Sequence, residues 1–218
     1  MLIPKAGGGK RPLGIPAVKD RIVQAALKMV IEPIFENEFV SSSYGFRPKR
    51  GCNNALWKVD KHLKMGQTWV VDADMQSYFD TISHTKLMLE VEKKYISDGK
   101  VLDLIKAYLK QDIVNGLEQW TPITGTPQGA IISPLLANLY LHELDKTMRQ
   151  AGYIMVRYAD DFVILCDSQM EAKEALTLIR HWVDERELIL HPEKTQLGNC
   201  LIKGQGFEFL GYRFEAGK

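Results

Sequence analysis

The sequence predicts an α+β fold in which an antiparallel sheet carries a set of acidic residues and helices pack behind it. Three observations point there. Two apolar runs, residues 153–156 and 162–165, flank Tyr158-Ala159-Asp160-Asp161, which puts two carboxylates at the tip of a β-hairpin. A run of β-branched and aromatic residues, Thr68-Trp69-Val70-Val71, reads as a short buried strand leading to a further acid, Asp74. Segments of helical periodicity alternate with these strands along the chain.

Taken in order, Leu2-Ile3-Pro4 and Leu13-Gly14-Ile15-Pro16 predict the arms of a hairpin with a basic, glycine-rich tip, Lys5 to Arg11. Residues 18–35 carry Ile22, Val23, Ala26, Leu27, Val30, Ile31 and Ile34 at helical spacing, with Pro33 near the helix end. A Ser, Gly, Arg and Pro loop over 41–51 precedes a helix to about residue 64, with Asn53 as its cap. Ser83 and Asp98 cap two helices, to about 93 and about 110, and Asn115-Gly116 turns a hairpin over 112–124. Ser133-Pro134 opens a helix to about 149, since proline is tolerated at the first helical position. After the acidic hairpin come an amphipathic helix over 169–186, a short strand at 188–190, and segments 195–201 and 207–214 as a closing strand pair.

With 218 residues, 45% of them hydrophobic, the chain is long enough for one large domain or two small lobes and is not a disordered tail. Net charge is only +1, but it is unevenly spread. Through residue 50 there are nine Lys/Arg against four Asp/Glu, and the remainder is acidic. That split suits a protein that grips polyanions with one part and holds metal ions with the other. Cys52, Cys166 and Cys200 are odd in number and widely spaced, which suggests neither a disulfide framework nor a zinc site. No apolar stretch nears the roughly 20 residues that span a bilayer, so no membrane partner is expected and a cytoplasmic location is the default. His62, His84, His142, His181 and His191 show no metal-ligand spacing.

Asp160 and Asp161 repel each other on a tight turn unless a cation lies between them. Asp-Asp turns are common as solvated bends, but fully apolar strands on both sides favour a dry site. Asp74, Asp160 and Asp161 together offer hard oxygen ligands that leave Mg2+ positions open for water and phosphates, which points to two-Mg2+ phosphoryl transfer.

Seven ordered motifs carry a family resemblance. Lys10-Arg11-Pro12-Leu13-Gly14-Ile15-Pro16 and Tyr44-Gly45-Phe46-Arg47-Pro48 come first, then Asp74-Met75-Gln76-Ser77-Tyr78-Phe79-Asp80. Thr126-Pro127-Gln128-Gly129 with Ser133-Pro134-Leu135-Leu136-Ala137-Asn138, the Tyr158-Ala159-Asp160-Asp161 turn, Pro192-Glu193-Lys194-Thr195 and Phe209-Leu210-Gly211-Tyr212 follow. In this order they resemble reverse transcriptases encoded by bacterial group II introns, over nearly the whole chain. The resemblance implies a right-hand polymerase with fingers over 1–66 and palm over 67–218, with about 86–124 adding to the fingers and no thumb. It implies an RNA-directed DNA polymerase that uses two Mg2+ ions, with Mn2+ as substitute. Its partners would be an RNA template, intron RNA, a DNA primer and dNTPs, with homodimer formation left open.

Site roles follow from residue chemistry and the resemblance together. Lys5 and Arg11 flank Gly7-Gly8-Gly9 and suit an incoming triphosphate, a solvated basic loop being the alternative. Arg47 suits stacking on or clamping a template strand, or else anchoring its own loop. By resemblance, Phe79 lies under the nucleotide sugar and excludes a 2′-OH, while Tyr78 is core and Asp80 holds the loop by hydrogen bonds. Gln128 is placed along template or nucleotide, and Gly129 lets backbone approach the base pair. Lys194 would neutralise or protonate pyrophosphate, a surface lysine being the alternative. Leu210 and Gly211 would support the primer terminus. Asp74, Asp160 and Asp161 would be catalytic and metal-binding. A rival class is an RNA-binding maturase module that clamps intron RNA through basic fingers; retention of the acids, Phe79 and Gln128 argues against loss of catalysis. A template-independent cyclase or primer-making enzyme lacks support from the finger motifs.

Overall fold

The computed structural model describes residues 14–215 in full, together with the backbone of Leu2–Pro4 and Lys10–Pro12. Lys5 and the side chain of Arg11 lie outside the described residues. Leu2–Pro4 (β1) pairs antiparallel with Lys10–Pro12 (β2), so the second arm of the first hairpin begins earlier than the 13–16 expected. By compactness the chain forms two units, one of Met1–Glu38 with Ser77–Tyr140 and one of Phe39–Gln76 with Leu141–Lys218.

The first unit is mostly helical. Val18–Glu38 (α1) continues through Pro33, which lies inside the helix rather than at its end. Its apolar residues divide between two faces: Leu27, Ile31 and Phe35 are buried, whereas Ile22, Val23, Val30 and Ile34 are exposed. Tyr78–Thr81 (α3) is a single turn, followed by His84–Lys94 (α4) and Gly99–Leu109 (α5). The expected caps form: Ser83 Oγ accepts from Lys86 N, and Asp98 Oδ1 accepts from Lys100 N and Val101 N at 2.8 and 3.0 Å. Ile113–Asn115 (β4) and Glu118–Trp120 (β5) make the hairpin that Asn115-Gly116 predicts.

The second unit is built on a four-stranded antiparallel sheet. Cys52–Lys64 (α2) starts earlier than expected: Gly51 rather than Asn53 is its N-cap, and Asn54, in the first turn, accepts at Oδ1 from Gly51 N at 2.9 Å. Trp69–Asp74 (β3) is central, flanked by Asp161–Cys166 (β7) and Gln196–Asn199 (β8), and Ile154–Tyr158 (β6) lies outside β7. Ser133–Gln150 (α6) belongs to the first unit up to Tyr140 and to the second from Leu141. Gln169–Glu185 (α7), capped by Ser168, packs on β3, β7 and β8.

Two expectations near the C-terminal end are corrected. Residues 188–190 form no strand; a single bridge joins Leu190 to Met75, because the chain turns at Pro192 after two backbone bonds to the end of β3. Segment 195–201 does not pair with 207–214. The former joins β3 as β8, and Phe207–Phe209 (β9) folds back on Tyr212–Phe214 (β10) around Leu210 and Gly211, at φ 53° and 79°. Two positive-φ residues in a two-residue loop match the twist of a tight hairpin, which closes this pair locally.

Side-chain alternation decides which sheet face the acids share. Val70, Val163, Leu165 and Val156 face a buried cluster completed by Ala55, Val59, Cys200, Phe207 and Phe209. On β3 the same face continues through Asp72 to Asp74, so the apolar face becomes acidic at one end. Among the described residues no helix is long and apolar enough to cross a membrane.

Candidate active site

Asp74 and Asp161 are direct cross-strand partners on β3 and β7, and Asp160 adjoins Asp161 in the turn from β6. Directly opposed residues on adjacent antiparallel strands have neighbouring side chains on one face. The structure thus brings together the three acids singled out from the sequence. A fourth joins them. Asp72, two residues before Asp74 and therefore on the same face, has its pKa pushed up to about 7 by burial, by Asp74 and by Glu208 on β9. Sequence reasoning missed Asp72, although period two from Asp74 was the available signal.

The electrostatics of the group are those of crowded, half-buried anions. Burial, then Asp72, Asp74 and Asp160, push Asp161 up to about 7. Asp160 is also raised by burial and Asp74, against a hydrogen bond from its own backbone N–H that favours the charged form. The opposing charge comes from Lys194, whose Nζ donates to Asp74 Oδ2 at 2.6 Å. That hydrogen bond, with the charges of Asp74, Asp161 and Asp160, raises the lysine's pKa against the effect of burial. Lys194 reaches Asp74 because Gln76 N donates to Ile189 O and His191 N to Asp74 O, both at 2.8 Å, and the chain then turns through Lys194.

Among the described residues no three acids, histidines or cysteines are gathered into a ready ligand set. The donor chemistry nevertheless fits a hard divalent cation: carboxylate oxygens alone, close enough to raise one another's pKa, with a lysine as the counter-charge. Asp74, Asp160 and Asp161 are the residues that could hold it.

The turn bearing Asp160 is tightly supported. Ala159 adopts φ 59°, a left-handed conformation that costs a residue with a Cβ on the order of 1–2 kcal/mol. The Arg157 side chain, fully buried, donates from Nη1 to Ala159 O at 2.8 Å. Gly45 lies so close that a Cβ there would collide with Ala159 N. Arg47 is 6% exposed, and its Nη1 donates to Val40 O at 2.7 Å and Ser43 O at 2.9 Å. Those bonds fit the loop-anchor role of the two considered.

Other expected site residues lie in the first unit, where they neighbour one another. Tyr78 is core, 2% exposed, and its hydroxyl donates to Ala137 O at 2.6 Å, whereas Phe79 is half-buried and meets the Tyr78 ring edge-on. Gln128 Nε2 donates to both Asp80 oxygens, at 3.1 and 3.2 Å, and Thr126 N donates to Phe79 O at 2.6 Å. Asp80 is therefore a loop-holding acid, as expected. Gly129 has φ 100°, which a side chain would resist. Leu210 packs against the core cluster of the second unit, and Gly211 is exposed at the hairpin tip.

Comparison with known proteins agrees with this geometry. The chain is similar to protein YkfC of Escherichia coli strain K12, 35% identical over 251 residues that cover 97% of this chain and 65% of that protein. It is similar to the group II intron-encoded protein LtrA of Lactococcus lactis, 42% identical over 151 residues, covering 69% of this chain and 25% of LtrA. The chain thus spans less than two thirds of either relative, and the second bears out the expected group II intron resemblance. Its fold is that of telomerase from Candida tropicalis in complex with a fragment of telomeric RNA, at TM-score 0.74 and 16% identity over 99% of this chain and 43% of that one. This likeness bears out the α+β fingers-and-palm fold. Residues 3–214 match the model of one family, and the chain belongs to it: reverse transcriptase (RNA-dependent DNA polymerase).

Proposed function

We propose that the chain is the catalytic core of an RNA-directed DNA polymerase of the group II intron-encoded kind, extending a primer 3′-OH with deoxynucleotides on an RNA template. The observation that carries this reading is the pairing of Asp74 with Asp161 beside the Asp160 turn. Members of this family use divalent metal ions. Asp74, Asp160 and Asp161 would hold two Mg2+ ions, with Mn2+ as substitute, which when bound lower the pKa of the attacking hydroxyl and neutralise charge on the triphosphate.

The chain's own groups supply position and counter-charge. Lys194 sits on Asp74 and can turn its ammonium toward the departing pyrophosphate, giving it a proton or acting as a point charge. Phe79, only half-buried, would lie with its ring under a deoxyribose and bar a 2′-OH. Gln128 and Gly129 would lie along template and nucleotide, Leu210 and Gly211 against the primer end, and Lys5 and Arg11 on the triphosphate. Arg47 serves this scheme by bracing its loop. Fingers over 1–66 and palm over 67–218, with about 86–124 adding to the fingers, remain the proposed division, although compactness groups 39–66 with the sheet. Intron RNA is the proposed partner, by the similarity to LtrA.

The test is primer extension on an RNA template beside filter binding of the same RNA. Asp160→Asn is expected to abolish extension and keep RNA binding. Extension by Asp160→Asn at the wild-type rate would overturn the reading.

A further inference from the structure

The acidic turn is held by a network that the polymerase reading does not use. Arg157 lies on β6, one residue before the Tyr158-Ala159-Asp160-Asp161 turn, and its side chain is inaccessible to solvent. Side chains alternate along β6, so Arg157 points to the sheet face opposite Val156 and Tyr158, toward α6. There it meets Asp145, equally buried, in a two-pronged ion pair: Nε to Oδ1 at 2.7 Å and Nη2 to Oδ2 at 2.5 Å. Nη2 also donates to Ser43 Oγ at 2.9 Å, and Nη1 to Ala159 O at 2.8 Å. One guanidinium therefore ties a helix, a loop and the acidic turn together.

The bond to Ala159 O bears on the acids directly. That carbonyl belongs to the peptide unit whose N–H is Asp160's own, so fixing its oxygen fixes the plane from which Asp160 departs. Ala159 is held at φ 59°, and an unfavourable conformation persists only where its surroundings over-determine it. The surroundings here are Arg157 on one side and Gly45 on the other. The 41–51 loop is locked to the same strand, since Arg157 N donates to Ser42 O and Tyr44 N to Arg157 O, both at 2.9 Å.

We propose that Arg157, charged and aligned by Asp145, is a positioning residue that sets the orientation of Asp160 and Asp161 through the Ala159 carbonyl. The proposal deepens the polymerase reading and rests on it. A planar guanidinium is required because Asp145, Ser43 and Ala159 are engaged at once through its fixed fork of donors; a lysine ammonium keeps the charge without the fork. The acids themselves are untouched in every variant that tests it.

Two variants separate positioning from folding. Arg157→Lys keeps the positive charge beside Asp145. The double variant Arg157→Met with Asp145→Leu removes both buried charges together, which apolar surroundings tolerate far better than the loss of one partner. Each is compared with wild type by thermal melting, by Mn2+ affinity from electron paramagnetic resonance, and by kcat and KM for dNTP in primer extension. Both variants are expected to fold, with dNTP KM within about twofold of wild type and kcat down by about 100-fold, the scale of a small misplacement of reacting groups. Mn2+ binding should weaken by about tenfold, a change of roughly 1.4 kcal/mol by the affinity relation.

A purely structural role would lower the folded fraction and leave Mn2+ affinity per folded molecule unchanged. Wild-type Mn2+ affinity and kcat in folded variants would overturn the proposal. Should wild type itself fail to extend a primer, the polymerase reading falls. The Mn2+ comparison then still decides whether Arg157 orients the carboxylates.

Discussion

Asp74 and Asp161 stand directly opposite one another on β3 and β7, although 87 positions of sequence separate their numbers. This register makes one sheet face apolar at Val70 and Leu165 and acidic at its end. Sliding either strand by one residue would turn one acid to the other face, so the buried cluster beneath also guards the site.

Replacing Asp74 with Asn should lower primer extension by about 1,000-fold or more, because one charge of the group proposed to hold the metal ions is lost while the fold is kept. Circular dichroism beside the extension assay checks this. An active Asp74→Asn protein would remove Asp74 from the site.

Gly45→Ala should destabilise the chain by about 1–3 kcal/mol, the cost of overpacking, since the new Cβ meets Ala159 N in the acidic turn. Urea unfolding measures it. Gly66→Ala meets nothing within 4 Å but stands at φ 101°, and so serves as a control for glycine replacement at a strained position without a clash.

Asp145→Ala leaves the Arg157 guanidinium charged and buried without its carboxylate, and should cost about 3–5 kcal/mol. The same substitution combined with Arg157→Met should recover a large part of that loss. If the double variant is no more stable than Asp145→Ala, the charge left behind was not the cause.

His142 is 1% exposed on α6, neither ring nitrogen is hydrogen-bonded, and its ring meets Phe39 edge-on. Burial lowers its pKa from 6.5, with Lys146 and Arg157 adding to the effect and Asp145 and Glu143 opposing it. The unfolded chain therefore binds this proton more readily, and stability present above about pH 6.5 is lost as pH falls. Wild type should lose more Tm between pH 7.5 and 5.5 than His142→Leu, by on the order of 2–4 °C. Equal slopes would mean that the ring takes up its proton without cost.

Phe79→Ala should raise incorporation of ribonucleotides relative to deoxynucleotides by about 10-fold or more, because the ring is the proposed steric barrier to a 2′-OH. Single-nucleotide extension with each substrate measures the ratio. An unchanged ratio would return Phe79 to the role of a packing residue.

Local chemistry made much of the fold legible. Asp98 capped its helix and Asn115-Gly116 turned its hairpin, because cap and turn preferences act within a few residues. Failures came where a distant partner decided the outcome. Residues 188–190 look like a strand by composition, yet only one bridge to Met75 forms, with backbone bonds from Gln76 to Ile189 and from His191 to Asp74, before the turn at 192–194 that delivers Lys194. Pro33 reads as lying near the end of a helix that stops at 35, but α1 runs on to Glu38, with Phe35 buried in the core.

The order of the motifs, the alternation that places Asp72 and Asp74 on one face, and the family itself were determined by sequence alone, since they rest on spacing along the chain. Only the tertiary structure decided that Lys194 neutralises Asp74, that Arg47 turns inward, and that Arg157 joins Asp145 to the Ala159 carbonyl. The physical reason is that such bonds depend on strand register and on how α6 packs against the sheet. Those are set by the whole buried core rather than by any local run of residues.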